Sequence, residues 1–389
     1  MPDFESRVRG VLYGTAYGDA LGAPVEHLSH AEIMDHFGHE IETVRTPWYK
    51  ESEPAFRRHG RVRGHGVITD DTLMTIALVH VYNEVQRHLD AYDMADGMIR
   101  EIAYRQRYIP EFDRVGMIAE RLFYAEKHIF NRLLLAHCDP REGGYGNAVN
   151  CGAAMYIAPV GMVNAGRPRA AYDEAISFAM AHQLSYGLEA AGVLAACVAE
   201  ACRPGASVET LIGTALSLAK DGTREAIAAL AETARVVKPQ REDHPAVIRA
   251  LHAAILPYSP IGDETRRPES QIGKPLLNFT PSRFFSIEEL PISLAYLLIW
   301  DDDPAQAVIR AVNSGRDADS IGVMTAALAG ALHGDSIFDP AELETVDRRS
   351  QLHLAEEAAA FARTARGIQA ADAERMHGEL RMMEAIRNA

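Results

Sequence analysis

Along roughly the first 25 residues the apolar positions follow a helical period, and glycines fill one stripe of it. Val11, Leu12 and Tyr13 supply apolar contact, while Gly10, Gly14, Gly18 and Gly22 recur at spacing four. Each glycine costs a helix about 1 kcal/mol relative to alanine. Four on one stripe therefore predict tight backbone packing or close approach to a ligand. From 37 to 66 the period is lost and Pro47, Pro54, Gly60, Gly64 and Gly66 accumulate, which predicts a long surface loop of the kind that often carries function. It returns at Thr72. Leu78, Val81, Tyr82, Val85 and Leu89 fall at i, i+3, i+4, i+7 and i+11, a helix with one buried stripe.

Further on, the glycine-rich loop Gly143-Gly144-Tyr145-Gly146-Asn147 leads into Asn150-Cys151-Gly152-Ala153-Ala154-Met155. Alanine-rich helices are expected from about 170 to 202. Pro257, Pro260, Pro268, Pro275 and Pro281 break residues 255–290, a second irregular excursion. Helical periodicity resumes at Pro291-Ile292 and runs, with one interruption, to about 333. The last fifty or so residues, 336–389, are rich in Ala, Glu and Arg and read as a helical, peripheral tail. No stretch behaves as a linker and no repeat has a fixed period, so the expectation is one all-α domain over residues 1–389.

Composition agrees with that. Hydrophobic residues make up 48% and charged residues 24% of the 389, enough apolar material for a sizeable core. The net charge of −15 argues against an extended nucleic-acid surface and leaves room only for a local basic pocket. The one dense basic run, Arg57-Arg58-His59-Gly60-Arg61-Val62-Arg63, is either a solvated loop or a contact for a phosphate-bearing ligand. Cys138, Cys151, Cys197 and Cys202 form no CxxC pair, which fits a reducing cytoplasm. The start Met1-Pro2-Asp3-Phe4-Glu5 lacks the basic and apolar regions of a signal peptide. No apolar run approaches the ~20 residues of a membrane span.

Two acidic segments change the picture. In Gly66-Val67-Ile68-Thr69-Asp70-Asp71-Thr72 a pair of aspartates opens a strongly apolar helix. Thr69 suits an N-cap and the carboxylates complement the helix dipole, which by itself is a structural arrangement. The second segment, Asn313-Ser314-Gly315-Arg316-Asp317-Ala318-Asp319-Ser320, wedges two carboxylates between helical stripes built for burial (Ala305, Val308, Ile309, Val312 before it and Ile321, Met324, Leu328, Leu332 after). Buried carboxylates must be paired, protonated or metal-bound. If Asp70, Asp71, Asp317 and Asp319 converge, Arg316 alone does not neutralise them, whereas hard divalent cations with oxygen ligands do. Hydroxyls at Thr69 and Ser320 and the lack of a Cys/His ligand set favour Mg²⁺ or Mn²⁺ over zinc. Such a set suffices for two metals about 3.5–4 Å apart.

With Gly18-Asp19-Ala20-Leu21-Gly22-Ala23-Pro24-Val25-Glu26, these two segments resemble, in order and spacing, the signatures of the ADP-ribosylglycohydrolases. That family includes dinitrogenase reductase-activating glycohydrolases and ADP-ribosyl-acceptor hydrolases. Asn150 to Met155 with Ala158-Pro159 resembles its substrate loop, and the likeness spans about residues 8–335. The resemblance implies an all-α fold around a central binuclear magnesium cleft, with Thr69, Asp70, Asp71, Asp317, Asp319 and Ser320 as metal ligands. It implies that Glu26, with Asp70 and Asp71, carries the chemistry, Glu26 positioning or activating water. Asn150, Cys151, Gly152, Ala153, His182 and Arg316 would meet the substrate, an ADP-ribosylated protein or a small ribosyl glycoside. Arg316 stands where the family commonly has glycine, and Tyr156 where it often has arginine. Both changes point toward a small N-glycoside, or toward an ADP-ribose-binding protein without turnover, as rival readings.

Other residues have plainer alternatives. His27, His30, His36 and His39 are an exposed face, a pocket rim or a zinc cluster. Cys151 is a packed small residue or a nucleophile, and His182 a core histidine or a ligand contact. Trp48 and Tyr49 either stack on a base or anchor their loop.

Overall fold

The computed structural model describes residues 2–258 and 287–388, so the proline-interrupted stretch expected as a second irregular excursion lies mostly outside the described residues. Among the described residues the chain is all-α: eighteen α-helices, short 3₁₀ and π turns, and one antiparallel pair of strands, Gln106–Ile109 with Arg114–Met117. That hairpin is too short and polar to announce itself by a period-two pattern.

The N-terminal helix, Phe4–Gly22, is capped by Asp3, whose side chain accepts the Ser6 N–H at 2.7 Å. Its glycine stripe faces the helix Ala318–His333, not a ligand. A methyl at Gly10, Gly14, Gly18 or Gly22 would run into the backbone carbonyl of Gly330, Ala326, Gly322 or Ala318 respectively. The order of those partners makes the pair antiparallel. Consequently the residues after Gly22 and those before Ala318 share one end of the pair, and the two outer acidic motifs meet there.

The helix Asp70–Val85 starts at Thr69, whose side chain accepts the Asp71 N–H. It is buried nearly all round rather than along one stripe, every residue from Asp70 to Val79 included. The cause is its place between the N-terminal helix and the C-terminal helix Leu354–Asn388. It stops at Val85 because Gln86 adopts φ +52°, which leaves Leu89 outside the helix. The C-terminal helix is not peripheral along its whole length. Leu354, Ala358, Phe361, Ala362, Ala365 and Ile368 are buried, and the helix becomes exposed only in the turns beyond Asp372.

The alanine-rich stretch forms Pro168–Ala179 and Ser185–Ala201, the latter buried continuously from Ala190 to Ala201. Small side chains let these helices approach closely and join one extended hydrophobic cluster with the others. No helix among the described residues is long and apolar enough to cross a membrane.

Candidate active site

Four hydrogen bonds from backbone N–H groups bring the acidic segments together. Asp19, on the last turns of the N-terminal helix and fully buried, accepts the backbone N–H of Thr69 and of Thr72, each at 3.0 Å. Those bonds fix the turn that carries Asp70 and Asp71. On the other side, the His27 N–H donates to the Arg316 carbonyl at 2.8 Å and the Arg316 N–H to the Leu28 carbonyl at 2.9 Å. Gly315 lies at φ +84° with Leu28 packed where a side chain would be, so only glycine fits. The loop after Glu26 is thereby paired to the loop before Asp317.

Glu26, Asp70, Asp71, Asp317, Asp319 and Ser320 line one cleft. Carboxylate oxygens of Glu26, Asp317 and Asp319 lie within 4.8 Å of one another. The Ser320 hydroxyl donates to Asp71 Oδ1 at 3.0 Å, joining the two motifs directly. Thr69 is fully buried behind the wall, so its hydroxyl serves the helix cap and does not line the cleft.

The counter-charges come from residues that no motif marks. Arg121 pairs with Asp70 at 2.9 Å and with Glu111, and Arg63 pairs with Glu26 and, at 2.6 Å, with the other oxygen of Glu111. Glu111, 1% exposed, sits on the turn of the hairpin and orients both guanidinium groups. The basic run divides: Arg57 and His59 are exposed as a solvated loop would be, while its end turns into the cleft. Arg63 is a buried partner of Glu26, and Arg61 lines the cleft. Arg316, considered as the local counter-charge and as a substrate contact, instead pairs with Glu288 at 2.6 Å and is not among the lining residues. Its backbone is held at φ +67° by the pairing with Leu28, which turns the side chain away.

The electrostatics divide the carboxylates. Burial alone would raise Glu26, but Arg63 and His27 outweigh it and hold its carboxyl well below the usual range. Asp71 and Asp319 are pushed well above theirs by burial and by the neighbouring carboxylates. Among the described residues Asp71, Asp317 and Asp319 have no arginine, lysine or histidine ion pair. That uncompensated cluster of oxygens fits hard divalent cations. Glu126, also in the wall, is raised to about 7 by burial and by Asp70.

Of the loop residues, Asn150 and Cys151 reach the cleft. Asn150 caps the 3₁₀ turn Cys151–Tyr156 through the Gly152 N–H at 3.1 Å. It also receives Gln183 Nε2 at 2.6 Å and donates to Glu126 at 3.2 Å. Cys151 Sγ lies 3.2 Å from Asp317 Oδ2 and 3.4 Å from Ser320 Oγ. With no cation or histidine beside it among the described residues, the thiol is pushed well up by burial and by the Asp317 carboxylate, which argues against a nucleophile. Gly152, Ala153 and His182 do not line the cleft. Gly152 is small because the Glu126 carboxylate packs against it. His182 is completely buried behind Glu126 and hydrogen-bonds the Tyr156 hydroxyl at 2.9 Å, the core-histidine alternative.

The four early histidines scatter. His27 pairs with Glu26 at 2.9 Å and lines the cleft, His30 Nδ1 meets the Asn313 carbonyl at 3.0 Å, His36 packs on Tyr49, and His39 meets the Glu40 carbonyl. The four do not gather with one another as a zinc cluster, and His27 alone takes the rim position. Trp48 is buried with the Arg63 guanidinium 5.8 Å from its ring centre, and Tyr49 is bonded to Pro24, so this pair anchors the loop. Asp19, Arg63, Glu111, Arg121 and Glu126 are the site residues that pattern reading missed. Two of them had a signal: Asp19 its place within the first motif, and Arg63 its place at the end of the dense basic run.

Residues 1–370 match the sequence profile of a family described as ADP-ribosylglycohydrolase. The chain is similar to an Escherichia coli (strain K12) protein named Uncharacterized protein YegU, 24% identical over 363 residues that make up 92% of this chain and 96% of the other. Among solved structures it resembles one described as an ADP-ribosylglycohydrolase-related protein complex, with a TM-score of 0.61 and 22% identity over 94% of this chain and 100% of that one. At such identity the structural likeness is one of fold.

Proposed function

Because the chain belongs to the ADP-ribosylglycohydrolase family, we propose that it is a metal-dependent hydrolase of an N-glycosidic ribosyl bond. The observation that carries this reading is the uncompensated acidic cluster of Asp71, Asp317 and Asp319 beside Glu26 in one cleft. Glu26, Asp70, Asp71, Asp317, Asp319 and the Ser320 hydroxyl would hold two Mg²⁺ ions, or Mn²⁺ in their place. When bound, such ions supply Lewis-acid polarisation of a water and of ribose hydroxyls.

The chain's own groups divide the remaining work. Arg63 and His27 hold Glu26 ionised and aimed, so its oxygens orient the attacking water by accepting its hydrogens. Carboxylates of the two motifs favour positive charge developing at the anomeric carbon. Glu126, in the cleft wall and pushed upward by burial, is the carboxyl that would donate a proton to the departing nitrogen. The bond from the anomeric carbon to nitrogen breaks as the water oxygen bonds to that carbon, and the proton released by water restores Glu126.

The cleft among the described residues has a volume of about 150 Å³, under the roughly 300–1,000 Å³ of pockets that enclose drug-sized ligands. This favours, as a second reading, a ribosyl N-glycoside small enough to be enclosed over the ADP-ribosyl group of a modified protein. Four unpaired cysteines fit a cytoplasmic setting. The test is release of sugar product from arginine-, serine- and nucleobase-linked ribosyl substrates, with and without a chelator, beside calorimetric titration with ADP-ribose. Chelator-sensitive turnover supports the reading. ADP-ribose binding without turnover on any substrate would replace it with a non-catalytic binding protein.

A further inference from the structure

Cys151 sits in the acidic cleft with no cation or histidine beside it to activate it among the described residues, and the proposed hydrolysis gives it no task. Its surroundings are informative. Cys151 Sγ, a carboxylate oxygen of Asp317 and one of Glu289 lie within 4.8 Å of one another. Glu289 opens the helix Glu289–Ile299, is 5% exposed, and its Oε2 is buried with no hydrogen-bond partner among the described residues. No ion pair reaches it among the described residues, because the adjacent Arg316 is taken by Glu288. A buried carboxylate oxygen left without a partner is costly, and the carboxylate that carries it lies against a thiol and a second carboxylate.

The geometry points to a separate divalent-cation site formed by Cys151, Glu289 and Asp317, selective for a borderline-soft ion such as zinc or cobalt(II) over magnesium. It rests on the proposed function only in that Asp317 would be shared with the hydrolytic centre. The selectivity follows from donor type: a thiolate sulfur favours softer cations, while magnesium prefers oxygen and keeps its waters. Three protein donors leave room for a solvent or substrate oxygen, as in open zinc sites. On binding, the thiol proton passes to solvent and the sulfur–metal bond takes its place. The Ser320 hydroxyl, 3.4 Å from Sγ, is placed to hydrogen-bond the sulfur and hold it in position.

The test is cobalt(II) titration of the metal-free full-length chain, read by thiolate-to-cobalt charge-transfer absorption in the near ultraviolet. Wild type should develop the absorption to saturation, and a large excess of magnesium should leave it in place. Cys151→Ser, checked for unchanged helical circular dichroism, should lose it, and Glu289→Gln should weaken cobalt binding at least about tenfold. Cobalt bound without the absorption, the same absorption in Cys151→Ser, or its erasure by magnesium would each overturn the site. Asp70→Asn separates the two readings, since it belongs to the hydrolytic centre alone. The absorption should persist in that variant whether or not any ribosyl substrate is turned over by the wild type.

Discussion

Asp19 accepts both the backbone N–H of Thr72, at 3.0 Å, and its hydroxyl, at 2.5 Å, across the junction of two helices. Through the same carboxylate it holds the Thr69 N–H. The position of Asp70 and Asp71 is therefore set by a residue on another helix. An amide at position 19 would offer hydrogens to donors. Asp19→Asn should lower magnesium affinity by about 10–100-fold, the usual cost of losing an outer support of a metal site, with turnover falling alongside. Calorimetric titration of the variant checks this, and an unchanged affinity would remove Asp19 from the positioning role.

The glycine stripe gives a stability prediction. Gly18 faces the backbone of Gly322, which is held in its own helix and cannot rotate away as a side chain would. Gly18→Ala should destabilise the chain by about 1–3 kcal/mol through overpacking. Urea unfolding midpoints for the variant and the wild type supply the measurement.

Glu111 holds two arginines with one carboxylate at 1% exposure. Removing its charge leaves Arg63 and Arg121 to be neutralised by Glu26 and Asp70 alone. Glu111→Gln should cost about 3–5 kcal/mol, as for breaking a buried ion pair. Chemical denaturation would show it, and a loss under about 1 kcal/mol would mean that the two outer carboxylates suffice.

A pH-dependent lock ties the C-terminal helix to the body. His88 lies between Glu174 and Asp372, with Nε2 2.8 Å from Asp372, and the bond to Glu174 raises its pKa despite burial. Glu174 also receives Tyr82 and Asn164, and Asp372 receives Arg167 and Arg375. A raised folded-state pKa stabilises fully below the unfolded value of about 6.5 and loses that contribution as pH rises through the folded value. The melting-temperature gap between wild type and His88→Asn should be wider near pH 5.5 than near pH 9. Thermal melts at both pH values decide it.

Removal of the metal donors should separate chemistry from folding. Asp317→Ala is expected to abolish turnover while helical circular dichroism largely persists, because Asp317 is in no ion pair with an arginine or lysine among the described residues. Near wild-type activity after exhaustive EDTA treatment would contradict the proposed metal dependence.

What could be read directly from the amino-acid order was local. The glycines at spacing four, the Thr69 cap and the apolar stripe ending before Asn313 depend on neighbours a few residues away, and the helical fold follows from them; the family is carried by the ordered motifs around Glu26, Asp70 and Asp317. Only the tertiary structure could show that Arg63, Glu111 and Arg121 hold Glu26 and Asp70, that Arg316 turns to Glu288, and that Glu289 approaches Cys151. Ion pairs between distant segments depend on side-chain directions set by loop paths, such as the Gly315 turn and the hairpin carrying Glu111. A loop path has no period, so nothing along the chain records where a charge will point.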